Sequence, residues 1–362
     1  MMRFFYPVPV VQIIMAFVIG FILVFITIPV IVRISRLKNL YDEPNSRKVN
    51  KTVVPNLGGV AIFIGISLAT LLSLHQYQFI EFRYIQAAMI ILFFTGIKDD
   101  ILVISPTKKF MAQVLCALLL ILVADIRFTH LHYIFGVSHI NDLLSLLISM
   151  VAIVAIINAV NLIDGIDGLA GATGIFAAVI FGFKFMLTGN SHYGVLASAM
   201  AGSLLAFLWF NLFGKENKIF LGDTGSLIVG MLIAVMVIQY NQFALTVTPQ
   251  EIAFSPIFSL AILATPLADM IRVFIIRLLQ GRSPFSPDQN HIHHRLLQLG
   301  YSHLTSTLII VATNGLIIIL AFAFRFLNKH LLMGLLILVI FFLLQLPDIL
   351  LKRRALRQDI QL

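Results

Sequence analysis

Apolar residues run through this chain in long blocks, separated by short polar stretches. Blocks near ~20 residues match the hydrocarbon thickness that a helix must cross. The pattern predicts eleven spanning helices, at 8–32, 56–74, 84–98, 110–124, 143–160, 168–187, 193–211, 225–240, 253–279, 305–324 and 331–350. The thinnest separator lies between 143–160 and 168–187. No internal repeat and no low-complexity segment interrupts the series. The first block, Val8–Val32, is too long for a signal-peptide core and has no basic leader beyond Arg3, so it is expected to stay as a span.

Composition fixes the solvent. The 362 residues are 60% hydrophobic and only 11% charged, with mean hydropathy +1.00. A soluble domain carries about a quarter charged residues. Too little polar surface remains to face water, so lipid must cover much of the chain. The expectation is an all-α polytopic membrane protein, a single integral membrane domain over 1–362, without a large soluble domain. The single cysteine, Cys116, lies in an apolar block and reads as a small buried residue.

Charge sets the orientation. The net charge of +9 suits anionic lipid or anionic substrates. Nucleic acid is not an expected partner, because Lys and Arg sit in short loops between apolar blocks. The positive-inside rule places the N-terminus outside and the C-terminus, with Lys352–Arg357, in the cytoplasm. Nineteen of the twenty-five Lys and Arg then lie inside. The segments rich in Asp, Asn, Gly and His fall on that same face: Lys98–Asp100, Asn158–Gly168, Asn211–Asp223 and Pro287–Arg295. The outer loops hold nothing comparable, and the outer histidines His75, His130, His132, His139 and His192 read as interfacial. One-sided clustering predicts a site at the inner membrane surface.

Each segment has its own chemistry. Asp99 and Asp100 are adjacent carboxylates at a lipid boundary; they repel unless a cation or donor compensates, and Mg²⁺ is a suitable cation. The alternative is two solvated acids at a helix end. In Asn158-Ala-Val-Asn161-Leu-Ile-Asp164-Gly-Ile-Asp167-Gly-Leu-Ala-Gly171, a helix opening at Asp164 would put Asp164 and Asp167 on one face. Helix-start N–H groups beside the glycines favour phosphate. Asp223, in Phe220-Leu-Gly-Asp223-Thr-Gly-Ser226, is either a metal ligand or, with Thr224, an ordinary N-cap. Phe220 can stack on a base. His291, His293, His294 and Arg295 offer phosphate donors and proton exchange near neutral pH, or form a solvated basic loop. In the first inner loop, Arg47, Lys48, Lys51 and Pro55–Gly59 read as positive-inside charge or as phosphate contacts. Asp269 and Arg272 form either an ion pair at a Pro-distorted site or a functional pair.

Together these motifs resemble the polyprenyl-phosphate N-acetylhexosamine-1-phosphate transferase family, across residues 42–297. The resemblance rests on the Asp pair, the NxxNLIDGIDGLAG run, FLGDTGS and HIHHR. It implies transfer of an N-acetylhexosamine-1-phosphate, GlcNAc-1-phosphate by the form of HIHHR, from a UDP-sugar to a polyprenyl phosphate. UMP is released, in a first membrane step of a cell-surface glycan at the bacterial inner membrane. It further implies Mg²⁺, with Mn²⁺ as a substitute, held by Asp223 and Asp100. Asp99, Asp100 and His293 are then catalytic. Lys48, Asn161, Asp164, Asp167, Asn211, Phe220, His291, His294 and Arg295 contact nucleotide or sugar. Two departures from the family pattern are Asn50, where relatives often have His, and Gln289, where a basic residue is common. A homodimer is the general expectation for such an assembly. The competing class is a transporter or flippase, which would place its polar groups near the bilayer midplane.

Overall fold

A computed structural model describes residues 9–40, 54–74, 79–283 and 290–359. The chain is helical almost throughout: α1 Pro9–Leu37, α2 Gly58–Ser73, α3 Phe82–Leu102, α4 Pro106–Leu122, α5 Asp142–Ile163, α6 Leu169–Leu187, α7 Ser191–Phe213, α8 Gly222–Ala244, α9 Pro249–Ile262, α10 Ala264–Leu279, α11 Ile292–Gln298, α12 His303–Ala323 and α13 Lys329–Asp359. Among the described residues, seven helices are long and apolar enough to cross a membrane. They are α1, α5, α6, α7, α8, α12 and α13. The bent pair α9–α10 makes an eighth candidate. Helix α2 is shorter, and α3 carries Arg83, Lys98, Asp99 and Asp100 within its length.

One expectation needs correction. The block 253–279 is not one straight span: α9 and α10 meet at 66°. Pro266, in the first turn of α10, has no N–H to continue the ladder across the break. The freed N–H of Thr265 is taken by Asn314 Oδ1 of α12 at 2.9 Å, the kind of rescue that backbone inside a bundle requires. The described fold is all-α, as expected, apart from one short hairpin. His130–Ile134 (β1) and Val137–His139 (β2) pair antiparallel in the expected outer loop. Phe135 and Gly136 both have positive φ, as a two-residue hairpin turn demands. His130 and His132 are buried rather than interfacial.

The bundle is organised around α8, whose spanning window is 89% buried, against 22% for α1 and α13 at the lipid-facing rim. Helices α2, α3, α5, α6 and α9 all pack on it. Small residues allow the close approach that membrane helices rely on. A Cβ at Gly59 would collide with the backbone of Gly225, and one at Gly96 with that of Thr224. The N-terminus of α8 is therefore closely approached by α2 and α3, and Asp99, Asp100, Asn161 and Asp223 converge there.

Candidate active site

Asp100, at the end of α3, reaches the head of α8. Its Oδ1 accepts from Asp223 N at 2.7 Å, and its Oδ2 accepts from Thr224 N at 3.0 Å and Thr224 Oγ1 at 2.6 Å. These N–H groups have no partner inside the helix, and α8 has no side-chain cap of its own. The cap comes from another helix rather than from Asp223 or Thr224. Gly222 makes the approach feasible: its φ is +71°, and a Cβ there would strike Asn56 O and crowd the Asp100 carboxylate.

Asp99 faces the other way. Its Oδ1 accepts from Ile104 N at 2.7 Å, and its Oδ2 pairs with Lys109 Nζ at 3.2 Å. Lys109 also pairs with Asp223 Oδ1. Asn161 holds Asp223 from α5, donating from Nδ2 to Asp223 Oδ1 at 2.5 Å and to Ser226 Oγ at 2.7 Å. Lys109 is thus the cation that stands between the Asp99 and Asp223 carboxylates.

Asp164 and Asp167 do not open a helix, so the condition for their sharing one helix face is not met. Asp164 ends α5, and α6 begins only at Leu169 after the left-handed Gly168. The two acids therefore part company. Burial lifts the Asp164 carboxyl well above the ordinary range, and the charges of Asp223, Asp100 and Asp167 add to this. Asp167 pairs instead with Lys218 at 2.7 Å and with His303 Nδ1 at 3.2 Å. Burial raises its pKa, but hydrogen bonds from His303 and Lys218 outweigh that and hold it below the usual value. Lys218 Nζ stands 5.8 Å from the Phe220 ring centroid, and Asn211 Nδ2 anchors Ile219 O at 2.8 Å. Backbone bonds from Phe220 N to Pro55 O, and from Gly58 N to Phe220 O, stitch this turn to the residues that lead into α2. Lys48 lies outside the described residues, as do Arg47, Asn50, Lys51, Asp288 and Gln289.

The histidine segment forms α11. His291 is buried and meets Asp269 Oδ2 through Nδ1 at 2.9 Å, while Ile292 N donates to Asp269 Oδ1 at 3.0 Å. Asp269 and Arg272 are thus both an ion pair, at 3.0 Å, and an anchor for this segment. His293 is also buried; it stacks on His291 with centroids 5.7 Å apart and lies 4.2 Å from His294. Burial, then the neighbouring His294 and His291, push His293 down to about 3, so the imidazole is neutral. Its ring presses on the turn that bears Asp164, where a Cβ at Gly165 would strike Nε2.

The glycosyl transferase family 4 model matches residues 82–241, which enclose Asp99, Asp100, Asn161–Asp167, Asn211, Phe220 and Asp223. Three relatives extend the likeness. The undecaprenyl-phosphate alpha-N-acetylglucosaminyl 1-phosphate transferase of Salmonella typhi is 28% identical over 73% of this chain and 70% of its own. That of Escherichia coli (strain K12) is 27% identical over 75% and 72%. The probable undecaprenyl-phosphate N-acetylglucosaminyl 1-phosphate transferase of Bacillus subtilis (strain 168) is 29% identical over 83% and 81%. Over residues 82–241 the chain is similar to glycosyl transferase family 4. The matched stretch holds the whole acid pocket, while α10, α11 and their anchors lie beyond it.

Sequence reasoning missed three members of this site. Lys109, Lys218 and His303 were indistinguishable from positive-inside charge or a helix start, yet each contacts an acid of the motifs. The available signal was depth: Lys109 lies one turn into a helix, beside a carboxylate pair that needs compensation. A divalent cation also fits this family site. Asp99, Asp100, Asp164 and Asp223 interact with one another, and Lys109 is the cation that pairs with two of them among the described residues. The donors are all carboxylate oxygens, the set that hard cations take. No three His, Cys, Asp or Glu among the described residues already stand in ligating geometry.

Proposed function

We propose that this protein transfers GlcNAc-1-phosphate from UDP-GlcNAc to undecaprenyl phosphate, giving the diphosphate-linked lipid and UMP. The carrying observation is the acid pocket at the head of α8, where Lys109 pairs with Asp99 and Asp223 and two further acids, Asp100 and Asp164, stand close to Asp223. The relatives' names speak of undecaprenyl phosphate and N-acetylglucosaminyl 1-phosphate, and the UDP carrier is this reading's own. The reaction brings anions together, so its requirement is positioning and charge neutralisation. A phosphate oxygen of the lipid attacks the phosphorus bearing the sugar, and the bond from that phosphorus to the UMP oxygen breaks. The lipid phosphate has a second pKa of about 6, so it needs little help from a base.

In this reading Asp223, Asp164 and Asp100 would hold Mg²⁺ or Mn²⁺. When bound, the ion neutralises the diphosphate and the departing UMP. Asp100 also fixes the head of α8, and Asn161 and Lys109 fix the Asp223 carboxylate. Asp99 orients the incoming phosphate or accepts its proton. Phe220, Lys218, Asp167 and Asn211 face the nucleotide, with Lys48 from the first inner loop. His291, His293, His294 and Arg295 form the sugar and diphosphate wall, and neutral His293 donates or accepts a hydrogen bond rather than carrying charge. The protein crosses the bacterial inner membrane eleven times, with α9 and α10 as one broken crossing, the N-terminus outside and the site in the cytoplasm. The acids stand at helix ends rather than mid-helix, which favours an enzyme over a transporter.

The test is UMP release by purified protein with undecaprenyl phosphate and a panel of UDP-sugars, with and without EDTA. Release with UDP-GlcNAc that EDTA abolishes is expected. No release from any sugar, in folded protein, would move the assignment to the transporter class.

A further inference from the structure

We infer that Asp348, near the end of α13, is a positioning residue for the histidine helix α11. The inference rests on reading α11 as part of the donor site. The Asp348 carboxylate bridges two arginines from separate elements: Oδ2 meets Arg272 NH1 of α10 at 2.9 Å, and Oδ1 lies 3.0 Å from Arg295 Nε of α11. Both guanidiniums also reach the residue that leads into α11. Arg272 NH2 donates to Asn290 O at 2.5 Å, and Arg295 NH2 donates to Asn290 Oδ1 at 2.6 Å.

Charge makes the bridge necessary. Arg272 and Arg295 converge on Asn290, and like charges at this range repel. Asp269 cannot neutralise both, because its oxygens already take Arg272, His291 Nδ1 and Ile292 N. Asp348 is the second carboxylate in this group, beside Asp269, and it arrives from the last helix. Helix α11 spans seven residues, too short to hold its own orientation without tertiary anchors. Any tilt of α11 passes through the stacked rings of His291 and His293 to the Gly165 turn, and so to the loop that carries Asp164 and Asp167. Asp348 touches neither substrate in this arrangement; it sets where the histidine wall stands.

The experiment pairs an activity readout with a distance readout on full-length protein in lipid nanodiscs. Spin labels go on Lys215→Cys and Tyr301→Cys in a Cys116→Ala background. Both label positions are exposed, one in the α7–α8 loop and one just past α11. Asp348→Ala is expected to broaden the 215–301 distance distribution and to raise KM for UDP-GlcNAc about tenfold. KM for undecaprenyl phosphate should stay within twofold. Asp348→Glu should recover at least half of both effects. An unchanged distance distribution would overturn the inference. So would equal losses toward both substrates that merely track a lower Tm. If the wild type releases no UMP, the proposed reaction fails, and the distance measurement alone still decides the role of Asp348.

Discussion

The acid pocket at the head of α8 and the histidine helix α11 are both polar sites inside an apolar bundle, and they solve the burial problem in opposite ways. Around α11 the charges answer one another: Asp269 and Asp348 face Arg272 and Arg295, and His293 is neutral. Around α8 they do not. Lys109 pairs with Asp99 and Asp223, Asp100 and Asp164 add two further acids beside them, and Asp164 is held far from its ordinary pKa by burial and by the other acids. A buried charge must be paired or neutralised. The histidine side holds much of its counter-charge within itself, with Arg277 as a third guanidinium beside His291, while the acid side has an excess of carboxylates that an external cation would offset. The difference teaches that a count of charged motifs says little; whether the local charges close decides which site is a wall and which is a receptor.

The contrast can be broken from either side. The largest expected effect is at Asp223. Asp223→Ala should lower UMP release on the order of a thousandfold and should remove the rise in Tm that Mg²⁺ gives the wild type by binding the native state. Retained activity, or a retained Mg²⁺ shift, would remove Asp223 from the cation site. Next comes Lys109→Ala, expected to lower turnover about a hundredfold. The same variant should melt lower than wild type in EDTA yet gain more from Mg²⁺, because the acids lose their internal cation. Equal Mg²⁺ gains in both proteins would mean that Lys109 does not compete for the same charge.

On the balanced side the expected losses are of stability. Asp269→Asn leaves Arg272 short of its buried partner and weakens the His291 contact, and should cost about 3 kcal/mol, read by chemical denaturation in detergent. The smallest effect is a pH slope. The unfolded chain binds a proton at His293 near pH 6.5, while burial keeps the native imidazole neutral to about 3. The unfolded state therefore binds more protons, and stability falls as pH drops below ~6.5, by at most about 1.4 kcal/mol per unit. His293→Gln should flatten that slope in Tm measured from pH 7 to 5.

What the sequence made legible was whatever depends on short-range pattern. Apolar block length located the helices, and the lysine and arginine bias gathered the motifs on one face. Asp99, Asp100 and Asp223 were legible because carboxylates at lipid boundaries are costly enough to stand out. What stayed hidden depends on contacts far apart in sequence. Asp100 and Asp223 read as two equivalent ligands, yet one caps the helix of the other across 123 residues. Asp164 and Asp167 read as one pair, yet the left-handed Gly168 delays α6 and sends them to different partners. Asp348 sits beyond every motif and reads as an ordinary acid before the basic C-terminal cluster. The break at Leu263 was hinted at by Pro266, but its satisfaction by Asn314 required the neighbouring helix.

The most direct test of the central claim follows the phosphorus itself. UDP-GlcNAc labelled with ³²P at the β-phosphate is incubated with purified protein, undecaprenyl phosphate and Mg²⁺, and the organic and aqueous phases are counted. The account predicts that label enters the lipid phase together with the sugar and that unlabelled UMP appears in equal amount. Label left in water as UDP while the sugar moves to lipid would mean sugar transfer without its phosphate, and would contradict the account.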